Sequence, residues 1–209
     1  MKFCCSKNKA HYDWTSLLNS HRRFVKKSHK VLEIGASNTE RTKDLAGLCQ
    51  QLIGVEFLSE RTPRNFENIK YVVGDWQNLS DFIRPNSINI AVSSHTIEHV
   101  QNDLRAINEL YTVLKPKGVA LFNTPNRKRL TRVLIEKFTS ERKFPFWEHI
   151  REYTEKDLIE LLESSKFKEY KIKPVVFGIH GGSIHFYSES VPKRLRGLAN
   201  FWEVHLFKE

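Results

Sequence analysis

Residues 30–37 read KVLEIGAS, from Lys30 to Ser37. Val31, Leu32 and Ile34 make an apolar run of strand length, and Gly35 permits a tight turn at its end. The small residues Ala36 and Ser37 follow, so backbone there can approach a ligand. Helical spacing then takes over from Glu40 to Gln51, with Leu45 and Leu48 on one face and Gly47 as a mild interruption. The alternation repeats. Leu52–Phe57 (LIGVEF), Ile69–Val73 (IKYVV), Ile88–Ser93 (INIAVS) and Val119–Asn123 read as strands. Between the last two, residues 102–114 place Leu104, Ile107, Leu110, Tyr111 and Leu114 at helical intervals, stopped by Lys115-Pro116-Lys117-Gly118. Strand and helix in alternation give an α/β fold with a parallel, doubly wound sheet. The apolar strands expect helices on both sheet faces.

The pattern loosens after Asn126. Residues 154–165 read as a helix, with Thr154 as N-cap, Asp157 three residues on, and Leu158, Leu161 and Leu162 on its apolar face. Residues 169–177 and 202–207 read as late strands, and 178–200 as an irregular insertion between them. Tyr12 to Lys27 reads as a helix, so residues 1–29 are expected to form a helical cap before the first strand. A length of 209 residues suits a single domain spanning 1–209.

Three cysteines, two of them adjacent at Cys4 and Cys5, make no disulfide framework. The start lacks an apolar leader segment, and no apolar stretch nears the ~20 residues that span a bilayer. A cytoplasmic protein without stable membrane insertion is therefore expected. The net charge of +10 favours anionic partners: nucleic acid, a membrane surface, or an acidic or phosphorylated small molecule.

Ligands of parallel sheets bind beyond the carboxyl ends of the strands, where strand order reverses. There the sequence places Glu33 to Ser37, then Glu56, 23 residues after Glu33, and then Asp75 and Trp76. A carboxylate at 56 can accept from both hydroxyls of a ribose. Asp75 can accept from an adenine amino group, while Trp76 offers the ring an apolar face.

The chain resembles the class I S-adenosyl-L-methionine (SAM)-dependent methyltransferases, within their type 11/type 23 group. The matching pieces are VLEIGAS (31–37), GVEF (54–57), VVGDWQNL (72–79), SSHTIEHV (93–100), VLKPKGVALFNTPN (113–126) and REYTEKDLIELLESSKF (151–167), all in the family's order. The resemblance covers residues 28–175. It implies a Rossmann-like, mostly parallel seven-stranded sheet whose last strand is antiparallel. It implies SAM as cofactor, with S-adenosyl-L-homocysteine as product. Gly35, Ala36 and Ser37 would hold the methionine moiety and Glu33 its amino group. Glu56 and Phe57 would lie at the ribose, Asp75 and Trp76 at the adenine, and Ser93 near the reactive methyl. Ser37 and Thr39 stand where the family has glycines. SAM has no pyrophosphate that needs close backbone approach, so the same departure counts against a nicotinamide enzyme.

His95-Thr96-Ile97-Glu98-His99 follows the fourth strand. Methyl transfer to oxygen requires removal of a proton, and histidine titrates near neutral pH. His95 and His99 are candidate bases, with His149 a further candidate. Some ubiquinone-pathway O-methyltransferases and the small-RNA 2′-O-methyltransferases carry E-x-x-E-H here and bind a divalent ion. By that resemblance His95, Glu98, His99 and His149 would be the ligands. Many relatives with no known metal share the pattern, and the expectation is no metal. The H-x-x-E-H spacing of some zinc peptidases also fits, but it belongs inside a helix rather than a loop.

The expected reaction is O-methylation of a small-molecule or glycan acceptor. An RNA 2′-O-methyltransferase and a non-catalytic SAM-binding partner subunit remain as alternatives. Basic clusters at Arg22, Arg23, Lys26, Lys27 and at Arg127, Lys128, Arg129, Arg132 either flank the cleft, implying an anionic acceptor, or are solvated faces. Lys193, Arg194 and Arg196 form a third cluster. Phe144, Phe146, Trp147, Phe186 and Tyr187 are candidates to line an acceptor pocket.

Overall fold

The computed structural model describes residues 2–4, 20–36, 39–138, 149–178, 185–187 and 191–209. Seven strands share one sheet: β1 (Lys30–Ile34), β2 (Gln51–Glu56), β3 (Ile69–Val73), β4 (Ile88–Ser94), β5 (Leu114–Pro125), β6 (Glu169–Val175) and β7 (Phe201–Phe207). Their order is β3-β2-β1-β4-β5-β7-β6. The first five pair in parallel, and β7 runs antiparallel to both β5 and β6. The chain moves outward from β1 to β3 and then returns to β4 on the other side of β1. That reversal opens a crevice at the carboxyl ends of β1 and β4.

Alternating side chains of the strands feed two cores. On one face Leu32, Ile34, Ile53 and Val55 pack with Ile107 and Leu110 of α2 (Asp103–Val113) and Leu158 and Leu162 of α4 (Glu155–Glu163). On the other, Val31, Leu52, Tyr71 and Leu121 pack with Leu45 of α1 (Thr39–Ala46) and with Phe24 and Val25. Helix α2 starts where the Asn102 side chain accepts the Arg105 N–H, and ends where Lys208 Nζ donates to the carbonyls of Tyr111 and Leu114. Thr154 and Asp157 close a reciprocal capping box at the head of α4.

Several boundaries differ from expectation. Helix α1 ends at Ala46, ahead of Gly47, whose backbone freedom works against helix. Strand β5 begins at Leu114 rather than Val119: Ile88 pairs with Leu114 and Ile90 with Val119, so residues 115–118 bulge out of the ladder. Strand β6 stops at Val175 because Val176 takes a φ of +58°, a strained turn for a β-branched residue. Phe177–Gly178 then joins a separate small sheet with His185–Tyr187 and Lys2–Cys4. The stretch 178–200 thus contains a strand and a 3-10 turn, Lys193–Leu198. Helix α3 (Leu130–Phe138) had no forecast at all.

Of the proposed N-terminal helix, residues 20–24 are helical, and 12–19 lie outside the described residues. This turn is pinned to β7 by buried polar groups. Ser20 Oγ donates to Glu203 Oε1 at 2.6 Å, and His205 Nε2 lies 2.6 Å from the same oxygen. Phe24 meets the His205 ring edge-on. His21 is fully buried, and burial, together with the charge of His205, lowers its pKa to about 3.

Candidate active site

The crevice is a cleft of two connected lobes, about 320 and 410 Å³, that share Gly35, Glu56, Phe57, Thr96 and His99. Gly35 turns the chain out of β1 with a φ of +75°. A Cβ there would stand 2.5 Å from Thr96 Oγ1, so both its conformation and its neighbour require glycine. The amides of Gly35 and Ala36 both donate to the Val55 carbonyl. Ala36 is fully buried.

Glu56 closes β2 at the joint between the lobes. Its Oε1 accepts the backbone N–H groups of Phe57 and Leu58 at 3.1 and 3.3 Å. The first lobe is apolar, walled by Ile34, Val55, Trp76 and Val100, with Asp75 and Gln77 at its edge. Asp75 is held by Gln77, which donates from its backbone N–H at 2.8 Å and from Nε2 at 2.9 Å. Gln77 Oε1 in turn accepts the Asn102 N–H, tying this loop to the head of α2. The second lobe is the more polar of the two and carries Arg41, Arg61, Ser94 and His95.

Glu33 and Ser93 are buried in the sheet and line neither lobe; at the end of β4 it is Ser94 that reaches the cleft. Burial pushes the Glu33 carboxyl up to about 7, against the hydrogen bond of Thr42 and the charge of Arg41, which pull it down. Ser37 lies outside the described residues.

The histidine loop forms a 3-10 turn, Ile97–His99. His95 has a φ of +51°, uncommon for a residue with a Cβ, and Asn123 accepts its N–H through both its carbonyl and its side chain. His95 Nδ1 lies 3.4 Å from Glu98 Oε1, and the ring stands edge-on to Phe201. Glu98 is fully buried and accepts from Thr124 Oγ1 at 3.1 Å. Burial alone would raise its pKa, but the hydrogen bond and charge of His95, with the charge of His99, hold it below the ordinary carboxylate range.

His149, 50 residues farther along the chain, meets His99 with ring centroids 5.0 Å apart. Glu98, His99 and His149 each bring one ligand atom within 4.8 Å of the others, a grouping that fits a divalent ion. His95 engages the Glu98 carboxylate instead. Glu152 Oε1 lies 2.9 Å from His149 Nδ1, and both oxygens of Glu152 receive Arg129 at 2.9 Å. Glu152 and Gln77 were missed as site residues, although both lie within the matched segments.

None of the basic clusters lines the cleft. Arg22, Arg23, Lys26 and Lys27 are exposed beside β7. Arg129 and Arg132 are buried against Glu152, and Arg127 and Arg132 pair with Glu136. That part of the case for an anionic acceptor is removed by internal pairing. The side chains of Phe144, Phe146, Trp147, Phe186 and Tyr187 lie outside the described residues.

Residues 8–170 match the family model of a methyltransferase domain, type 23. A Mycolicibacterium smegmatis protein named "Probable S-adenosylmethionine-dependent methyltransferase" is 29% identical over 165 residues, 74% of this chain; the chain spans 61% of that relative's length. Among solved structures, a SAM-dependent methyltransferase from Thermotoga maritima superposes with a TM-score of 0.70 at 20% identity, over 96% of this chain and 92% of that one. Phosphoethanolamine N-methyltransferase 2 of Haemonchus contortus, solved with SAM, gives 0.64 at 15% identity, over 93% of this chain and 52% of that one. At these identities the structures speak for the fold.

Proposed function

We propose that this chain, which belongs to the class I SAM-dependent methyltransferases of the type 11/23 group, transfers the methyl group of SAM to an oxygen of a small-molecule or glycan acceptor. The observation that carries this is the position of Glu56. It is a carboxylate fixed by two backbone amides, at the joint between an apolar lobe and a lobe with two guanidinium groups. In that place Glu56 receives the ribose hydroxyls, the Trp76 lobe takes the adenine, and Arg41 faces the methionine carboxylate. Glu33, buried beneath the Gly35 turn, acts on the cofactor's ammonium through its charge, from behind the cleft wall.

Transfer is an in-line displacement. The C–S bond of the sulfonium breaks as a C–O bond forms, and S-adenosyl-L-homocysteine leaves. Holding the two partners at attack distance supplies much of the acceleration. The acceptor proton goes to a histidine. His99 lines both lobes, and His149 stands beside it with Nδ1 committed to Glu152, so proton exchange at His149 falls to Nε2. His95 orients Glu98 and the loop.

Calorimetric titration of SAM and S-adenosyl-L-homocysteine into the wild type and Glu56→Ala tests the reading. Micromolar binding, weakened at least ~10-fold in the variant, supports it and justifies an acceptor screen. Absence of binding by folded wild type sinks it. Binding without turnover across the screen would favour a partner subunit, and steeply salt-dependent RNA binding would favour an RNA acceptor.

A second reading rests on the grouping of Glu98, His99 and His149. These residues would hold a divalent ion, and Glu152 would orient His149 from behind, as carboxylates do for metal-bound imidazoles. Such an ion would lower the pKa of an acceptor hydroxyl. Metal analysis of purified protein, with turnover before and after chelation, separates the two readings. Activity that survives chelation leaves the histidine base.

A further inference from the structure

Helix α3 is mounted inside out. Its charged face is turned inward: Arg129, at its head, and Arg132 are 7% and 4% exposed and meet Glu152, while Glu136 pairs with Arg127 and Arg132. Its apolar face is turned to solvent. Leu130, Val133, Leu134 and Phe138 are 54%, 45%, 42% and 74% exposed. The spacing i, i+3, i+4, i+8 puts these four on one stripe. Single exposed apolar residues are ordinary, but a contiguous stripe bounded by charge marks an interaction surface.

The neighbouring turn extends the same chemistry. Asn126, just before α3, donates through Nδ2 to the carbonyls of Gly197 and Ala199, which fixes the Lys193–Leu198 turn beside the helix. That turn exposes Leu195 and Leu198. A cavity of about 430 Å³ lies between that turn and the head of α4, lined by Lys128, two residues ahead of α3, and by Lys156, Lys193 and Arg196. Its one acidic wall residue, Glu155, is neutralised by Arg196 at 2.5 Å. Lys128 and Lys193 have no carboxylate partner among the described residues.

We infer that this face docks on an anionic lipid bilayer, with the α3 stripe and the two turn leucines in the interface and the lysine cavity receiving a lipid phosphate. Apolar side chains that enter the headgroup boundary beside lysines combine the two attractions that hold interfacial helices. Charge decides against the other occupants. A second copy docking through this same face would set Lys128 and Lys193 against their own counterparts. A nucleic acid would satisfy the lysines but leave the apolar stripe in water. No helix among the described residues is long and apolar enough to cross a membrane. The inference stands on α3 and the cavity and does not depend on the methyl-transfer reading.

The test is flotation of the full chain with vesicles of phosphatidylcholine alone and with phosphatidylglycerol added. Wild type should float with the anionic vesicles, and salt should reduce the bound fraction. The double variant Leu134→Glu/Phe138→Glu should bind at least ~10-fold more weakly. Lys128→Glu/Lys193→Glu should lose the preference for anionic lipid. All these side chains are exposed, and unchanged melting temperatures would show that the variants fold. Failure of wild type to float with either vesicle overturns the proposal, as does equal binding by Leu134→Glu/Phe138→Glu. A solution dimer that this double variant converts to monomer would assign the face to a second copy and overturn it as well.

Discussion

Glu152 Oε1 lies 2.9 Å from His149 Nδ1, and its surroundings hold the carboxylate in its ionised form near neutral pH. Burial would raise its pKa, but hydrogen bonds from His149 and Arg129 and the charges of Arg129 and Arg132 outweigh burial and bring it to about 2. The carboxylate therefore accepts, and the imidazole donates from Nδ1. Glu152→Gln should lower kcat by ~10–100-fold with little change in SAM affinity, because Glu152 positions His149 and lies outside the cofactor cleft. Equal loss of SAM binding would refute that division of labour. Glu152→Ala leaves Arg129 buried without its bidentate partner and should cost about 3–5 kcal/mol in denaturant unfolding.

Glu33 gives a proton signature for cofactor binding. Its folded pKa is raised to about 7 by burial, so stability from its protonated form is full below the ordinary carboxylate value and lost as pH rises toward 7. A cofactor ammonium near it would favour the ionised form and expel the proton. SAM titrated near pH 6.5 in two buffers of different ionisation enthalpy should show net proton release, and Glu33→Gln should abolish it. Identical heats in both buffers would mean that the ammonium and this carboxylate do not interact.

The Gly35 turn should not tolerate a methyl group. Gly35→Ala combines a left-handed backbone with a Cβ 2.5 Å from Thr96 Oγ1, and should destabilise the fold by roughly 1–3 kcal/mol. Adding Thr96→Gly should recover the steric part of that loss and leave the conformational part. Thermal melts of the single and double variants measure both.

Acid should loosen the helical turn at residues 20–24. Because His21 is buried neutral with a folded pKa of about 3, its contribution is present above the unfolded value of 6.5 and fades as pH falls toward 3. Wild-type melting temperature should decline across that window. His21→Phe should flatten the decline, and a decline of the same slope in the variant would place the acid-sensitive group elsewhere.

The parallel half of the sheet was legible because strands buried on both faces must be apolar runs and Gly35 must be glycine. Residues 69–73 came out as forecast, and β2 and β4 came within a residue at each end. Glu56's place at the cleft was legible because a carboxylate ending an apolar strand next to the first one falls at the carboxyl edge of the sheet. What failed to show was everything decided by contacts distant in sequence. Residues 130–138 have helical periodicity, but the apolar stripe faces out, so a search for a core-facing helix passes over it. The arginines 127, 129 and 132 read as surface charge until Glu152 and Glu136 are seen to neutralise them. Glu33 and Ser93 lie near the carboxyl ends of their strands, as expected, yet burial within the sheet keeps both from lining the cleft.

The order β5-β7-β6 carries a consequence for biosynthesis. The chain makes β6 some 25 residues before β7, yet β6 reaches the sheet only through β7. While the polypeptide is still emerging, β5 presents an open hydrogen-bonding edge and β6 has no place to dock. A nascent chain at that stage holds the cofactor cleft's strands but not a closed sheet, and it is the species most prone to pair with a stranger. Ribosomal pausing between residues 176 and 200 should therefore raise misassembly more than a pause of equal length anywhere earlier.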